Sequence, residues 1–233
     1  MIFKQFFEPD TSTFTYLLGC EESRQAVLID TVESQIESYL KVLDEHGLAL
    51  VYTLETHVHA DHVTGADSLR KKLGSKSVVH RDAGAMCGDL LVTDGIHVKV
   101  GSMDIEVRHT PGHTNGCVSY FVGDRIFTGD ALLIGGCGRT DFQMGSAAQL
   151  YDSIHQQIFS LPDDTLIYPG HDYNGNTVST VGQEKATNKR LGQAKTKEEF
   201  IEIMNNLKLA YPKYIDIALP ANQACGSVTI QAS

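Results

Sequence analysis

The sequence predicts an α/β protein of the α+β kind, an αββα sandwich in which helices cover two packed sheets. Three observations point there. Short β-like runs come in two groups, amphipathic helical segments fall between and after them, and the 233 residues contain no repeat, low-complexity tract or linker. This length is enough for one large core, so residues 1–233 are expected to form a single domain.

The first group opens with "IFKQFF", "FTYLLG" and "AVLID", the last ending on Asp30. From Ser34 to His46 the apolar residues Ile36, Tyr39, Leu40 and Leu43 fall at helical spacing, and "LALVYTLET" follows as a buried strand. A polar helix is expected around Asp67 to Leu73, then a short strand "SVVH". The second group is "IHVKV", "MDIEVRHT", "CVSYFVG" and "RIFTGD", separated by Gly and Asp turns. Leu150, Ile154 and Ile158 mark another amphipathic helix, "TLIYPGH" a further strand, and Gln183 to Leu207 a helical tail.

Composition excludes several function classes. The formal charge of −10 repels a phosphate backbone, so nucleic acid is not an expected partner. Five cysteines, Cys20, Cys87, Cys117, Cys137 and Cys225, lack any CxxC pair and the density of a disulfide scaffold. They read as reduced thiols of a cytoplasmic protein. "MIFKQFFEPDTST" has no long apolar run and no small-residue cleavage site, and no other segment has the unbroken apolar length to span a bilayer. Neither export nor a membrane is expected.

The chemistry concentrates in "ETHVHADHVTG", residues 55–65. Imidazole and carboxylate are the ligands borderline divalent ions prefer, and in an extended segment His57 and His59 project to the same side. Asp61 and His62 come where the chain turns toward the next helix, so Asp61 could cap that helix or ligate an ion. His113 in "PGHTNG", Asp130 in "FTGDAL" and His171 in "YPGHDYNG" lie at other strand ends, beside glycines that permit tight turns. Taken singly, each is an ordinary surface or core residue satisfied by hydrogen bonds; seven in this pattern point to a metal site. His46, His80, His97, His109 and His155 lack such company and are expected to be structural or solvated.

With "THVHADH", "PGHTNG", "GDALLIGGCGRTDFQ", "YPGHDYNG" and "PANQACG", the chain resembles the metallo-β-lactamase superfamily, and within it the persulfide dioxygenases. The HxHxDH motif is common to the superfamily, whereas "GCGRTDFQ" and "PANQACG" are particular to that branch. The resemblance implies the metallo-β-lactamase fold and a non-haem enzyme with one Fe(II) per chain. Such an enzyme oxidises glutathione persulfide with O2 and water to sulfite and glutathione, in sulfide detoxification. It implies His57, His113 and Asp130 as iron ligands, a facial set that leaves open positions on an octahedral ion. His59, Asp61, His62 and His171 would then orient the ligands or mark a vacated second-metal position. Arg139, Tyr173 and Asn222 match positions that hold the glutathione moiety, with Tyr173 also placed to donate a hydrogen bond to a reacting group. A guanidinium suits a glycyl or glutamyl carboxylate, but a local ion pair of Arg139 with Asp141 is the plainer alternative. Cys137 reads as a small buried filler. The resemblance further implies a homodimer, and a rhodanese-type sulfur transferase would be a separate protein.

The main rival is a glyoxalase II-like hydroxyacylglutathione hydrolase, which uses the same seven ligands for two metals and a bridging hydroxide. That relative carries a longer helical C-terminal portion with basic residues for glutathione. A secreted β-lactamase would need an export signal, an RNA-processing nuclease a basic surface, and a flavodiiron protein HxE where this chain has His57 and His59. A non-catalytic module of the same fold would show degenerate ligands, and all seven are intact.

Overall fold

The computed structural model describes residues 1–227. They divide into two compact units. The first holds Met1–Val92, Lys99–Met103 and the chain from Tyr211 on; the second holds Thr93–Val98 and Asp104–Ala210.

The first unit is built on strands β1 (Ile2–Glu8), β2 (Thr13–Gly19), β3 (Gln25–Ile29), β4 (Ala49–Leu54), β5 (Lys76–His80) and β6 (Leu90–Val92), in that spatial order. β1, β2 and β3 pair antiparallel, while β3 to β6 run parallel. Parallel neighbours need a crossover, and α1 (Ile36–Glu45) and α2 (Ala66–Leu73) supply two of them. α1 buries Ile36, Tyr39 and Leu43, one stripe at helical spacing, among Leu17, Leu28, Leu50 and Leu69. Each such aliphatic side chain contributes about 1.5–3 kcal/mol on full burial. β4 ends at Leu54, so the histidine-rich loop begins one residue beyond a buried parallel strand.

The second unit carries the sheet β12-β11-β10-β9-β8-β7. Its strands are β7 (His97–Val100), β8 (Met103–His109), β9 (Val118–Val122), β10 (Arg125–Gly129), β11 (Leu166–Pro169) and β12 (Ser179–Thr180). β8, β9 and β10 pair antiparallel, and β10 with β11 parallel. α3 (Ala147–Ser153) continues into a π-turn at Ile154–Ile158 and seats Leu150, Ile154 and Ile158 against Ile126, Ile167 and Phe200.

Three expectations change. The helical tail from Gln183 to Leu207 is two helices, α4 (Val181–Thr187) and α5 (Lys197–Asn205), because Thr196 opens a new helix with a capping box to Glu199. A further helix, α6 (Ile215–Gln223), lies beyond them with Pro220 inside it. The five cysteines are not all reduced: Cys87 and Cys225 form a disulfide across 138 positions, and Cys20, Cys117 and Cys137 remain thiols. The pairing is invisible in spacing because the fold, not the local sequence, brings the two together. Among the described residues no helix is long and apolar enough to cross a membrane.

Candidate metal centre

The loop after β4 is organised from below by two buried acids. Asp30, at the end of β3, accepts hydrogen bonds from the Thr56 amide (2.7 Å) and the Thr56 hydroxyl (2.8 Å). Because that hydroxyl proton is directed to Asp30, Thr56 Oγ1 accepts from His57 Nδ1 at 3.0 Å, which leaves Nε2 as the lone-pair atom of His57. Asp30 Oδ1 and Glu55 Oε2 both face His59 Nε2, at 3.1 and 3.3 Å. Burial opposes charge on His59, but the two carboxylates outweigh it and raise its pKa well above the ordinary imidazole range. The His57 and His59 rings lie 4.1 Å apart, and His59 and His62 4.4 Å.

Asp61 does not cap α2, whose N-cap is Gly65 without a side-chain bond. Its Oδ2 instead meets His62 Nδ1 at 2.8 Å and Thr13 Oγ1 at 3.2 Å. His62 Nε2 and His59 Nδ1 are buried with no hydrogen-bond partner, and one ligand atom each of His59, Asp61 and His62 lies within 4.8 Å of the others. Two buried ring nitrogens without a partner are unusual in a satisfied core, and their grouping with a carboxylate fits a cation site.

Asn222, expected to contact the substrate, is bonded to the histidine loop. It is 5% exposed, its Nδ2 donates to the carbonyls of His59 (2.8 Å) and His62 (2.7 Å), and its Oδ1 accepts from the Thr64 amide (2.9 Å). An amide bonded to three backbone groups holds the histidine loop in place.

In the second unit the donors stand at the ends of β8, β10 and β11. Gly112 has φ +134°, and a Cβ there would fall 2.3 Å from the Leu150 amide nitrogen, so only glycine permits the turn that presents His113. His113 Nδ1 donates to the Arg139 carbonyl at 2.6 Å, which again leaves the ring lone pair on Nε2. That Nε2 lies 3.6 Å from Asp130 Oδ2, and His171 Nε2 lies 3.6 Å from Asp130 Oδ1. Both distances exceed hydrogen bonding, and Asp130 Oδ1 is buried without a hydrogen-bond partner. A carboxylate oxygen orphaned beside two imidazole nitrogens fits a divalent cation and little else. Gly170 lets it sit there, since a Cβ at that position would come 2.8 Å from Asp130 Oδ1.

Tyr173 is 71% exposed, its ring parallel to that of His171 at 6.0 Å. Arg139 forms the plainer of its two expected contacts: Nε and Nη2 donate to Asp141 at 2.6 and 2.7 Å, Nη1 donates to the Ala210 carbonyl at 2.8 Å, and the plane lies over Phe142. Cys137 is buried beside Met204 and Arg190, and burial pushes its thiol up to about 11, as a filler requires. His97, His109 and His155 are held by Asp104, the Asn115 carbonyl and the Tyr151 carbonyl, and His80 Nδ1 accepts from the Asp82 amide. Asp30 and Glu55 are the site residues that sequence reasoning missed; Asp30's place at a strand end and Glu55's at the mouth of the loop were the available signals.

Residues 9–171, more than half of the chain, match the family model described as the metallo-beta-lactamase superfamily. The chain belongs to that superfamily. Its relatives include the human protein named persulfide dioxygenase ETHE1, mitochondrial, 51% identical over 232 residues that span 98% of this chain and 90% of that one. A crystal structure of ETHE1 from Myxococcus xanthus superposes with a TM-score of 0.95 at 51% identity, covering 97% of this chain and all of the other. A probable hydroxyacylglutathione hydrolase of Schizosaccharomyces pombe is more distant, 34% identical over 171 residues that span 71% of this chain and 66% of that one. The metallo-β-lactamase fold of this chain therefore carries the histidines and aspartates singled out from the sequence in both units.

Proposed function

We propose that this protein is a persulfide dioxygenase that takes glutathione persulfide and O2 and yields sulfite and glutathione. The observation that carries the reading is the near-full-length identity to a protein of that name, with every ligand residue of the motif in place. Residues 1–233 act as one domain in this reading.

His57, His113 and Asp130 would hold a single Fe(II). The fit is supported by two imidazoles whose Nδ1 atoms are engaged, leaving Nε2 as the ligand atom, and by the orphaned carboxylate oxygen of Asp130. When bound, a ferrous ion supplies the electrons and the spin change that O2 needs to react with closed-shell sulfur. The residues around it do the rest. Thr56 and the Arg139 carbonyl set the two ring tautomers, and Asn222 fixes the backbone of His59 and His62. Arg139 reaches a substrate carboxylate by exchanging it for Asp141, a swap of one carboxylate for another on the same fork. Tyr173, with its ring exposed beside His171, donates a hydrogen bond to the bound persulfide or to a reacting oxygen. A homodimer and a separate rhodanese-type sulfur transferase belong to this reading as partners. Cytoplasmic placement is supported by three cysteines that remain thiols and opposed by the Cys87–Cys225 disulfide.

The hydroxyacylglutathione hydrolase reading is favoured by the His59, Asp61 and His62 donor cluster and by the S. pombe relative. Against it, that relative is 34% identical over 71% of this chain, whereas the persulfide dioxygenase relative is 51% identical over 98% of it. The deciding experiment gives one preparation glutathione persulfide and S-lactoylglutathione side by side. The reading expects sulfite from the first and negligible thioester loss from the second; rapid thioester hydrolysis without sulfite overturns it.

A further inference from the structure

The turn that follows Asp130 is held from outside by three side chains of the second unit. Glu184 lies within α4, and Asn188 and Arg190 come just after it. Glu184 Oε2 accepts the Gly135 amide at 2.8 Å, Asn188 Nδ2 donates to the Gly136 carbonyl at 3.0 Å, and Arg190 Nη1 donates to the Cys137 carbonyl at 2.6 Å. The next two residues bond in the opposite direction. Gly138 donates its amide to the Asp130 carbonyl at 2.8 Å, and the Arg139 carbonyl accepts from His113 Nδ1 at 2.6 Å. At Gly138 the approach is so close that a Cβ would come 2.9 Å from His113 Nδ1. Five successive residues, 135 to 139, are thus fixed through their backbone, three to the α4 side and two against His113 and Asp130.

Packing alone does not call for these groups. Glu184 and Asn188 are fully buried, and taking a carboxylate and an amide out of water costs more than apolar side chains of similar size would. α4 does not need them to start, since its N-cap Thr180 accepts the Gln183 amide. Their local bonds aim them. Glu184 accepts from Ser179 Oγ at 2.6 Å and from Asn188 Nδ2 at 2.7 Å, while Asn188 Oδ1 takes the Arg190 and Leu191 amides at 3.0 and 3.1 Å. What remains of their bonding capacity goes to backbone 49, 52 and 53 positions away.

We propose that Glu184, Asn188 and Arg190 are positioning residues for the metal centre, a clamp that sets the Arg139 carbonyl against the His113 ring and the Gly138 amide against Asp130. The inference rests on the reading of His113 and Asp130 as metal ligands. With the turn clamped, the His113 ring keeps its proton on Nδ1 and its lone pair on Nε2, 3.6 Å from Asp130 Oδ2. With the clamp released, the Arg139 carbonyl moves off Nδ1, and the ring is free to turn or to change tautomer. Metal affinity and coordination geometry then suffer although no ligand has been altered.

The test compares wild type with Arg190→Met, Arg190→Lys, Asn188→Ala and His113→Ala, each as the full chain prepared anaerobically. It reads the Fe(II) dissociation constant by chelator competition, the visible absorption of the Co(II) form, and the thermal midpoint of the metal-free protein. The clamp predicts that Arg190→Met and Asn188→Ala weaken Fe(II) binding about tenfold and alter the Co(II) bands. Loss of a positive charge would by itself favour a cation, so weaker binding in Arg190→Met runs against the change in field and reports geometry. Arg190→Lys keeps a donor for the Cys137 carbonyl and should recover both readouts. Wild-type affinity and Co(II) bands in both Arg190→Met and Asn188→Ala overturn the clamp, and a lowered midpoint beside them would mark the network as serving folding alone. Tighter binding in Arg190→Met overturns it too. His113→Ala keeps the two readings apart: if it binds Fe(II) as wild type does, the ligand reading fails and the clamp falls with it, whereas if it alone loses the metal, only the clamp fails.

Discussion

Replacing Asn222 with alanine is the sharpest test of how the histidine loop is held. The substitution removes three hydrogen bonds at once, two to the carbonyls of His59 and His62 and one from the Thr64 amide. At about 1 kcal/mol net per bond the loss is roughly 3 kcal/mol, and the buried partners left behind push it upward rather than down. In a protein of this size 1 kcal/mol moves the thermal midpoint by roughly 2–4 °C, so the midpoint should fall by about 6–12 °C. Thermal unfolding followed by circular dichroism reads this directly. Iron content should fall with it, because the loop that carries His57 is loosened, while KM for the persulfide in the metal-loaded fraction should stay near wild type. An unchanged midpoint with a several-fold rise in KM would refute the reasoning and return Asn222 to the substrate.

Three further outcomes follow from the same geometry. His113→Ala removes an Nε2 ligand atom fixed by the Arg139 carbonyl, so iron and turnover should disappear together; full iron by metal analysis would reject the ligand assignment. Tyr173→Phe takes one hydroxyl from an exposed ring, so kcat/KM should drop with iron content and thermal midpoint unchanged, and unaltered kinetics would remove Tyr173 from the site. Asp141 titrates below the ordinary carboxylate range because Arg139 hydrogen-bonds it and outweighs burial, so the pair's stabilisation is present above the unfolded carboxylate pKa and lost as pH falls through the lowered value. Asp141→Asn should therefore weaken the acid-side pH dependence of stability and lower KM by freeing Arg139, and a raised KM would show that Asp141 helps hold the substrate.

The legible part of the site was the part whose residue types are chemically unusual. Three histidines and an aspartate between positions 57 and 62, with His113, Asp130 and His171 beside glycines, announce a metal because no core needs that many imidazoles. Asp30 was not legible, since His59 is brought to it by the parallel pairing of β3 with β4, and Glu55 lies four residues before His59 in a loop, where spacing alone marks no contact. Asn222 was found, but its bonds to the histidine loop were not legible: an amide that holds backbone and one that faces a ligand look alike in sequence. α6 was missed because Pro220 breaks helical expectation, and its modest amphipathic stripe is hidden beside it. The Cys87–Cys225 pair spans two distant segments and leaves no spacing signal. The division of the strands into two sheets, by contrast, followed the two groups of β-like runs, because period and turn residues are local properties.

The central claim is oxidation of a persulfide at a single ferrous ion, and oxygen consumption tests it most directly. The protein is purified anaerobically, reconstituted with Fe(II) or with Zn(II), and given glutathione persulfide on an oxygen electrode while sulfite is quantified. The account predicts uptake only in the iron form, with sulfite appearing in step with the O2 consumed and one iron per chain. No uptake in either form, or equal sulfite from the zinc form, would contradict it.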